Sequence, residues 1–403
     1  MTLMQLNFNG ITFLCGDAER LLRQRAFRPL TPFAPQTVQL LNDFSKALFA
    51  DPRAKSLSDV ISLAFWCRPA SLEKMRQQFM PAGHVQGRGV VFHIAPANVA
   101  VNFAYSLIAG LLMGNANVVR LSSRYFEQTP IICDAFTTAL AKNPAMADSV
   151  ALIQYGHDAT LTDYFSANCD VRVIWGGDNT IATIRKSALP PRGLDISFAD
   201  RYSFSVLNAE AWLGAENKQN VLEAFYNDTL LTDQQACTAA KLVVWTGEGV
   251  ERARASFWAA FRDWLAGRFT QQPAMAVKNL AFFCEQATLN PSLIRLPQPD
   301  NTLFLAQTNV LNPLMLEQHH NAGFFFEYVA NEFNEIAPLC TDKCQTISTF
   351  GIAQQTVSDF FSEIQPRGVD RVIPLGQSMA FSLHWDGYQL PELLTRRSTV
   401  MPG

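Results

Sequence analysis

Residues 90 to 113 contain no charged side chain, and this run constrains the fold more than any other. It is long enough to cross a bilayer as a helix. His93, Pro96, Asn98, Asn102 and Gly110 argue against that, because lipid tolerates neither stranded polar groups nor broken backbone. The text divides instead into a β-branched strand, GVVFHIA, a turn, PAN, and a helix, VAVNFAYSLIAGLLMG, that ends at Gly114. NANVVRLS follows as a second strand, which completes a βαβ unit. No membrane span is expected.

The alternation continues. A helix over about residues 125 to 141, the strand SVALIQY, a helix over 159 to 167, the strand VRVIWGG and a helix over 179 to 186 predict a largely parallel sheet covered on both faces. Ligands in such sheets bind beyond the carboxyl ends of strands. Three ends therefore matter: PAN at 96 to 98, LSSR at 121 to 124 and WGGD at 175 to 178. Upstream, PQTVQLLNDFSKALF and SDVISLAFW have apolar positions three and four apart and predict a helical packing layer, with Ser58 or Asp59 as N-cap. Pro190, Pro191 and Gly193 mark a break, and ISFADRYSFSVLN reads as a strand pair or a crossing strand. A helix over 210 to 231, another over 251 to 268 and the strands LFLAQT and FFFEYVA make up a second α/β segment. Three regions are expected: 1–206 for cofactor binding, including the N-terminal helical layer, 207–371 for catalysis, and a strand-rich tail, 372–403. The tail is expected to close over the first domain or over a neighbouring subunit.

The chain has 403 residues, with 48% hydrophobic and 17% charged side chains, so it can bury a large core. A net charge of −3 with scattered Lys and Arg excludes the basic stripe that a nucleic acid or an anionic membrane needs. Eight cysteines lack zinc-site or disulfide spacing; the lone C-x-x-x-C of Cys340 and Cys344 has no second pair, so no metal is expected. The start, MTLMQLNFNGITF, lacks a basic n-region and a small-residue cleavage site, so no signal peptide is expected. These features predict a reduced, cytoplasmic protein with a small-molecule partner.

Chemistry centres on LLTDQQACTAAKLVVW, residues 230 to 245. Cys237 follows a polar run and precedes small residues, which predicts a helix start that would lower its thiol pKa and leave room for an acyl group. No G-x-G-x-x-G or P-loop is present. Gly176 and Gly177 offer a partial substitute, since they let a backbone approach a phosphate or the nicotinamide end at a helix start.

In combination these motifs carry a resemblance. PxN after a strand, NANVVRLSS, a Gly-Gly at a third strand end, a cysteine after DQQ, and NEFNEIAP resemble the aldehyde dehydrogenase superfamily. DQQACTAAK, KCQTISTFG and GVDRVIPLG with WDG resemble more closely the LuxC-type acyl-CoA reductases, over about residues 85 to 390. The resemblance implies an aldehyde-dehydrogenase-like α/β fold: a Rossmann-type parallel-sheet cofactor domain, a second α/β catalytic domain and a short strand-rich tail. It implies that Cys237 holds the acyl group as a thioester, and that the Asn98 amide with the cysteine's backbone N–H holds the oxyanion. Losing one such donor typically costs about 100-fold in rate. Arg120 replaces the usual ribose-contacting lysine. An arginine forks onto a 2′-phosphate, which favours NADPH over NADH, with Ser122 and Ser123 adding hydroxyl contacts. Glu332 and Phe333 match the motif that binds the nicotinamide ribose, although Asn334 replaces the usual glycine.

The hydrolytic dehydrogenases carry a water-activating glutamate in LELGGK. Here the text is LDISFADRYS. Aligning Arg201 with the lysine puts Ser197 at the glutamate position; only a shifted register offers Asp195. Lacking that base, the chain suits a reductase that must keep a thioester until hydride arrives. Of the histidines, at 84, 93, 157, 319, 320 and 384, none adjoins the cysteine motif; His93 is expected in the core, and His384 is a weaker candidate base. The residues leave open which group activates Cys237. Phe324, Phe325 and Phe326 fit an acyl channel or a core.

The resulting expectation is NADPH-dependent reduction of a fatty acyl-CoA or acyl thioester to the aldehyde, beside an acyl-transferring partner protein, by a homo-oligomer. The alternatives are an NAD(P)-dependent aldehyde or semialdehyde dehydrogenase, and a catalytically inactive cofactor-binding relative.

Overall fold

The computed structural model describes residues 8–318 and 320–401. His319 and the first seven residues of the N-terminal stretch lie outside the described residues. The chain forms two compact units, Met1–Ala199 with Phe381–Gly403, and Asp200–Ala380.

In the first unit, β1 (Thr12–Cys15) and β2 (His84–Gly87) precede β3 (Val90–Ile94), β4 (Ala116–Arg120), β5 (Val150–Gln154), β6 (Val171–Trp175) and β7 (Leu194–Phe198). Six of these strands form one sheet in the order β1-β5-β4-β3-β6-β7. All its pairs are parallel except β1 with β5. The four inner strands β3 to β6 are buried at almost every position on both faces, so their sequences are apolar apart from isolated polar residues such as His93, Asn117 and Arg172. Val91, Val119 and Val173 point into one core, while Phe92, Val118 and Ile174 point into the other, as the two-residue strand period requires. The helix Asn102–Leu112 is buried along its length except at its first residue, and Gly114 ends it with φ 82°.

The N-terminal layer consists of the helices Ala18–Arg23, Pro35–Ala50, Ser58–Trp66 and Pro69–Phe79. The expected caps are corrected. Ser58 is already helical behind Leu57, which makes no side-chain cap bond, and Asp59 binds Val60 N at 2.8 Å inside the first turn.

The second unit contains β8 (Tyr202–Asn208), β9 (Ala240–Thr246), β10 (Ile294–Leu296), β11 (Phe304–Gln307), β12 (Phe324–Val329), β13 (Cys344–Phe350) and β14 (Arg371–Pro374). Their order is β10-β11-β12-β9-β8-β13-β14, parallel apart from β10 with β11. ISFADRYSFSVLN is therefore a crossing, with β7 in one sheet and β8 in the other. The division of the chain falls at Ala199/Asp200, ahead of the expected 206/207, because β8 pairs with β9 and β13 inside the second sheet. Likewise β14 pairs with β13, so 372–380 stays with the second unit.

The expected helix over 210–231 is two helices, Ala209–Leu213 and Lys218–Asn227. Phe324, Phe325 and Phe326 are completely buried and divide between the two cores of this unit, so they are packing residues and line no channel. Beside them Glu327, also fully buried, accepts from Trp245 Nε1 at 2.8 Å, Trp258 Nε1 at 2.7 Å and Arg254 Nη2 at 3.1 Å. A buried carboxylate needs such pairing.

The chain then returns to the first unit. β15 (His384–Trp385) pairs with β16 (Tyr388–Gln389), and β17 (Thr395–Ser398) pairs with β2. Leu383, Trp385, Leu390 and Leu394 enter the core that contains the helix Asn102–Leu112. Among the described residues, no helix is long and apolar enough to cross a membrane.

Candidate active site

Cys237 lies in a turn between the 3₁₀ segment Leu230–Thr232 and β9. No helix starts there, so the predicted helix-dipole activation is absent. The DQQ residues build the turn. Asp233 and Gln234 take left-handed conformations, φ 50° and 54°, which are strained for non-glycine residues. Side-chain bonds hold them there. Buried Gln234 accepts from Gly323 N at 2.9 Å and donates to Phe324 O at 2.9 Å, and Asp233 accepts from Asn321 Nδ2 at 3.0 Å.

The turn presents a half-buried thiol. Of the eight free cysteines, six are buried; only Cys237 and Cys284 reach solvent. Burial pushes the Cys169 thiol up to about 12 and raises those of Cys15, Cys67 and Cys133 as well, which makes them poor nucleophiles. Around Cys237, Ser203 Oγ donates to its carbonyl at 2.7 Å, and Gln345 Nε2 donates to Sγ at 3.6 Å. Lys241, 5% exposed, faces the charges of Asp200 and Cys237. Burial lowers its pKa, and those two groups oppose the shift. Ser203, Lys241 and Gln345 escaped the sequence reading. The last two lie within DQQACTAAK and KCQTISTFG, but nothing in their spacing marks them as neighbours of the thiol.

In the first unit the three strand ends adjoin along the carboxyl edge, since Ile94 pairs with both Arg120 and Ile174. Asn98 is exposed in the turn after β3. The next helix has Val101 at its N-cap, without a side-chain bond. Arg124 Nη1 donates to Ala97 O at 3.1 Å, which ties the loop after β4 to the Asn98 turn. Arg120 Nη2 donates to Gly156 O at 3.1 Å, and its guanidinium lies 4.6 Å from the Tyr155 ring centroid. Its Nε is buried with no hydrogen-bond partner among the described residues. Such an orphaned cationic donor suits an anionic ligand. Ser122 Oγ accepts from Arg124 N at 3.1 Å, and Ser123 is exposed. Gly176 and Gly177 precede a helix of seven residues, Asp178–Ile184, and a side chain at Gly177 would meet nothing within 4 Å. The backbone there is open to approach.

Other candidates have structural duties. Glu332 caps the 3₁₀ helix Phe333–Leu339 reciprocally with Glu335, and Phe333 is buried against Phe360. Asn334 Nδ2 donates to Glu363 at 3.0 Å. His93 is a satisfied core histidine, with Nδ1 2.7 Å from Ser106 Oγ and Nε2 3.0 Å from Asn117 Oδ1; burial drops its pKa to about 4. His384 is exposed, edge-on to Phe79 at 5.0 Å. Asp195 is held by Arg172 Nη2 at 2.9 Å and Arg185 Nε at 3.3 Å, and Arg185 also donates to Ser197 at 3.0 Å. Arg201 is paired with Asp370 at 2.6 Å.

This fold is that of the aldehyde dehydrogenases. Indole-3-acetaldehyde dehydrogenase, solved with NAD⁺, superposes with a TM-score of 0.66 at 12% identity, over 90% of this chain and 83% of that one. The Δ-pyrroline-5-carboxylate dehydrogenase of Mycobacterium tuberculosis gives 0.60 at 13%, over 94% and 80%. Residues 17–274 match the acyl-CoA reductase (LuxC) family, and the chain belongs to that family. Among its relatives, the long-chain acyl-protein thioester reductase of Vibrio harveyi is 20% identical over 395 residues, 93% of this chain and 77% of the relative. The protein of that name from Aliivibrio fischeri is 25% identical over 179 residues, 43% of this chain and 36% of the relative.

Proposed function

We propose that the protein reduces an activated fatty acyl group, presented as a coenzyme A or protein thioester, to the aldehyde through a covalent intermediate on Cys237. The observation that carries this reading is the half-buried Cys237 thiol, held at its carbonyl by Ser203 and at its sulphur by Gln345. The Cys237 sulphur attacks the thioester carbonyl; a new C–S bond forms, the donor C–S bond breaks, and the donor leaves as a thiolate. The Asn98 amide takes the oxyanion.

The orphaned Nε of Arg120 and the open backbone at Gly177 fit a phosphorylated dinucleotide. NADPH, when bound, supplies hydride to the acyl carbon. Arg120, Ser122 and Ser123 are assigned to its adenosine end and Gly176 and Gly177 to the rest of it, and the family motif assigns Glu332 and Phe333 to its nicotinamide ribose in addition to their duties in the 3₁₀ cap and the packing against Phe360. Cys237 then departs as the thiolate and the aldehyde is released. Asp195, the sole carboxylate that the shifted register offers for water activation, is neutralised by two guanidiniums, which favours thioester reduction over hydrolysis. A cytoplasmic homo-oligomer working with an acyl-transferring partner protein completes the proposal.

The test incubates the protein with NADPH and acyl-CoAs of graded length while NADPH consumption and intact mass are followed. Acyl-dependent NADPH loss and one acyl adduct are expected. Cys237→Ala retains NADPH binding and forms no adduct; an adduct in that variant removes the nucleophile assignment. Robust NAD-dependent aldehyde oxidation without coenzyme A points instead to a dehydrogenase running toward the acid.

A further inference from the structure

No helix starts at Cys237, which lies between the 3₁₀ segment Leu230–Thr232 and β9, so its neighbouring side chains are the place to look for what favours its thiolate. Two irregularities of the second sheet lie beside it. β13 pairs with β8 through Cys344↔Tyr202 and then Thr346↔Ser203, which leaves Gln345 as an extra residue. β9 pairs with β8 through Ala240↔Ser203 and then Val243↔Ser205, so β9 carries one extra residue across Lys241 and Leu242. Both strands flanking β8 are thus bulged at the same level, next to Ser203. A bulge re-aims side chains and is uncommon between parallel strands.

The residue re-aimed by the β13 bulge reaches the thiol. Fully buried Gln345 donates its amide to Sγ, while its own backbone is held by Asp370 N, which donates to Gln345 O at 2.9 Å. Ser203 fixes the level. Its hydroxyl donates to Cys237 O and accepts from Thr346 N at 3.2 Å, which joins the cysteine turn to the strand residue after the bulge.

We propose that Gln345 is a catalytic residue for the reaction above: aimed by the β13 bulge, its amide N–H holds the Cys237 sulphur and stabilises it as the thiolate. Lys241, placed by the β9 bulge, is the positioning cation beside it. The inference rests on Cys237 being the nucleophile, but it concerns the thiol before any acyl group arrives. A thiolate is a far stronger acceptor than a thiol, so a buried N–H donor and a nearby cation both lower the thiol pKa. Burial depresses the Lys241 pKa, and the charges of Asp200 first and Cys237 second oppose that; the second is the same coupling seen from the amine.

Iodoacetamide alkylation reads this without acyl donor or NADPH: the thiolate displaces iodide and a C–S bond forms. It is run on the full chain in a Cys284→Ser background, which removes the other non-buried thiol, and Cys237 is followed by peptide mass across pH. Gln345→Met fills the same space without a donor; its alkylation midpoint is expected to rise, with a rate at pH 7 about tenfold lower, corresponding to about one pKa unit. Gln345→Glu should raise the midpoint further, Lys241→Met should raise it, and Lys241→Arg should keep it. If Gln345→Met fails to give a cooperative melt, Gln345→Glu carries the test. Wild-type midpoints in every folded Gln345 variant would overturn the proposal. A midpoint shift alongside a wild type that takes no acyl adduct sustains the Gln345 assignment while sinking the acyl-reductase reading.

Discussion

At the scale of single residues, the neighbours of Cys237 hold different atoms of its turn. Ser203 holds the carbonyl, Gln345 the sulphur, and Gln234 the turn beneath. Removing the hydroxyl in Ser203→Ala deletes its bonds to Cys237 O and to buried Thr346 N, each contributing about 0.5–1.5 kcal/mol net. The urea midpoint should fall accordingly, and acylation should slow because the turn loses its tie to the sheet; an unchanged midpoint removes this account. Arg120 makes a separate prediction. With the adenosine 2′-phosphate on its guanidinium, wild type should bind NADPH more tightly than NADH, and Arg120→Lys should narrow the ratio about tenfold, since a lysine cannot fork onto phosphate. Equal affinities of the wild type for the two cofactors, measured by fluorescence titration, sink the assignment. As candidates, Cys237 and Asn98 stand out in the sequence only as members of a motif set. Gln345 was not legible, because a bulge leaves no mark in a run such as KCQTISTFG.

At the scale of elements, the helix Asn102–Leu112 shows how tightly the first sheet is dressed. A side chain at Gly110 would collide with Asn117, whose amide oxygen bonds His93, and Ser106 of the same helix receives Trp175 Nε1 at 3.0 Å. His93 therefore stays neutral in the fold, with a pKa near 4 against an ordinary 6.5. The sign follows: below pH 6.5 the unfolded chain takes up a proton that the native state refuses. Stability is full above 6.5, declines as pH falls toward 4, and levels off below, for a total of about 3 kcal/mol. His93→Gln should flatten the urea midpoint between pH 7 and pH 4, whereas a slope equal to wild type would show that other groups carry it. The inner strands β3 to β6 were readable because burial on both faces makes them largely apolar; the short, partly exposed β1 was not. The helix Pro273–Leu289 was not, since its buried residues are Asn279 and Gln286 while Val277, Leu280 and Leu289 face outward. An inverted pattern defeats a search for a buried apolar stripe.

At the scale of the whole molecule, the chain builds most of one unit, completes a second from Asp200–Ala380, and returns to finish the first. The returning segment belongs to the core. Phe381 stacks on Tyr105 at 4.8 Å, Arg88 Nε donates to Leu393 O at 2.6 Å, and Asn115 Nδ2 donates to Leu394 O at 3.0 Å. Leu383, Leu390 and Leu394 are 0%, 3% and 1% exposed. At roughly 2 kcal/mol for each fully buried leucine, their loss removes about 6 kcal/mol, comparable with the whole stability of an ordinary domain, about 5–15 kcal/mol. Deleting residues 381–403 should therefore unfold the first unit and spare the second, whose sheet and two cores come from one continuous stretch. Three constructions separate the cases by circular dichroism and urea melts: 200–380 alone is expected to melt cooperatively, 1–199 alone is not, and 1–199 joined to 381–403 by a short Gly/Ser linker should regain a cooperative transition. Cooperative melting of 1–199 by itself would mean that the tail only decorates the first unit, whereas its burial assigns it part of the core.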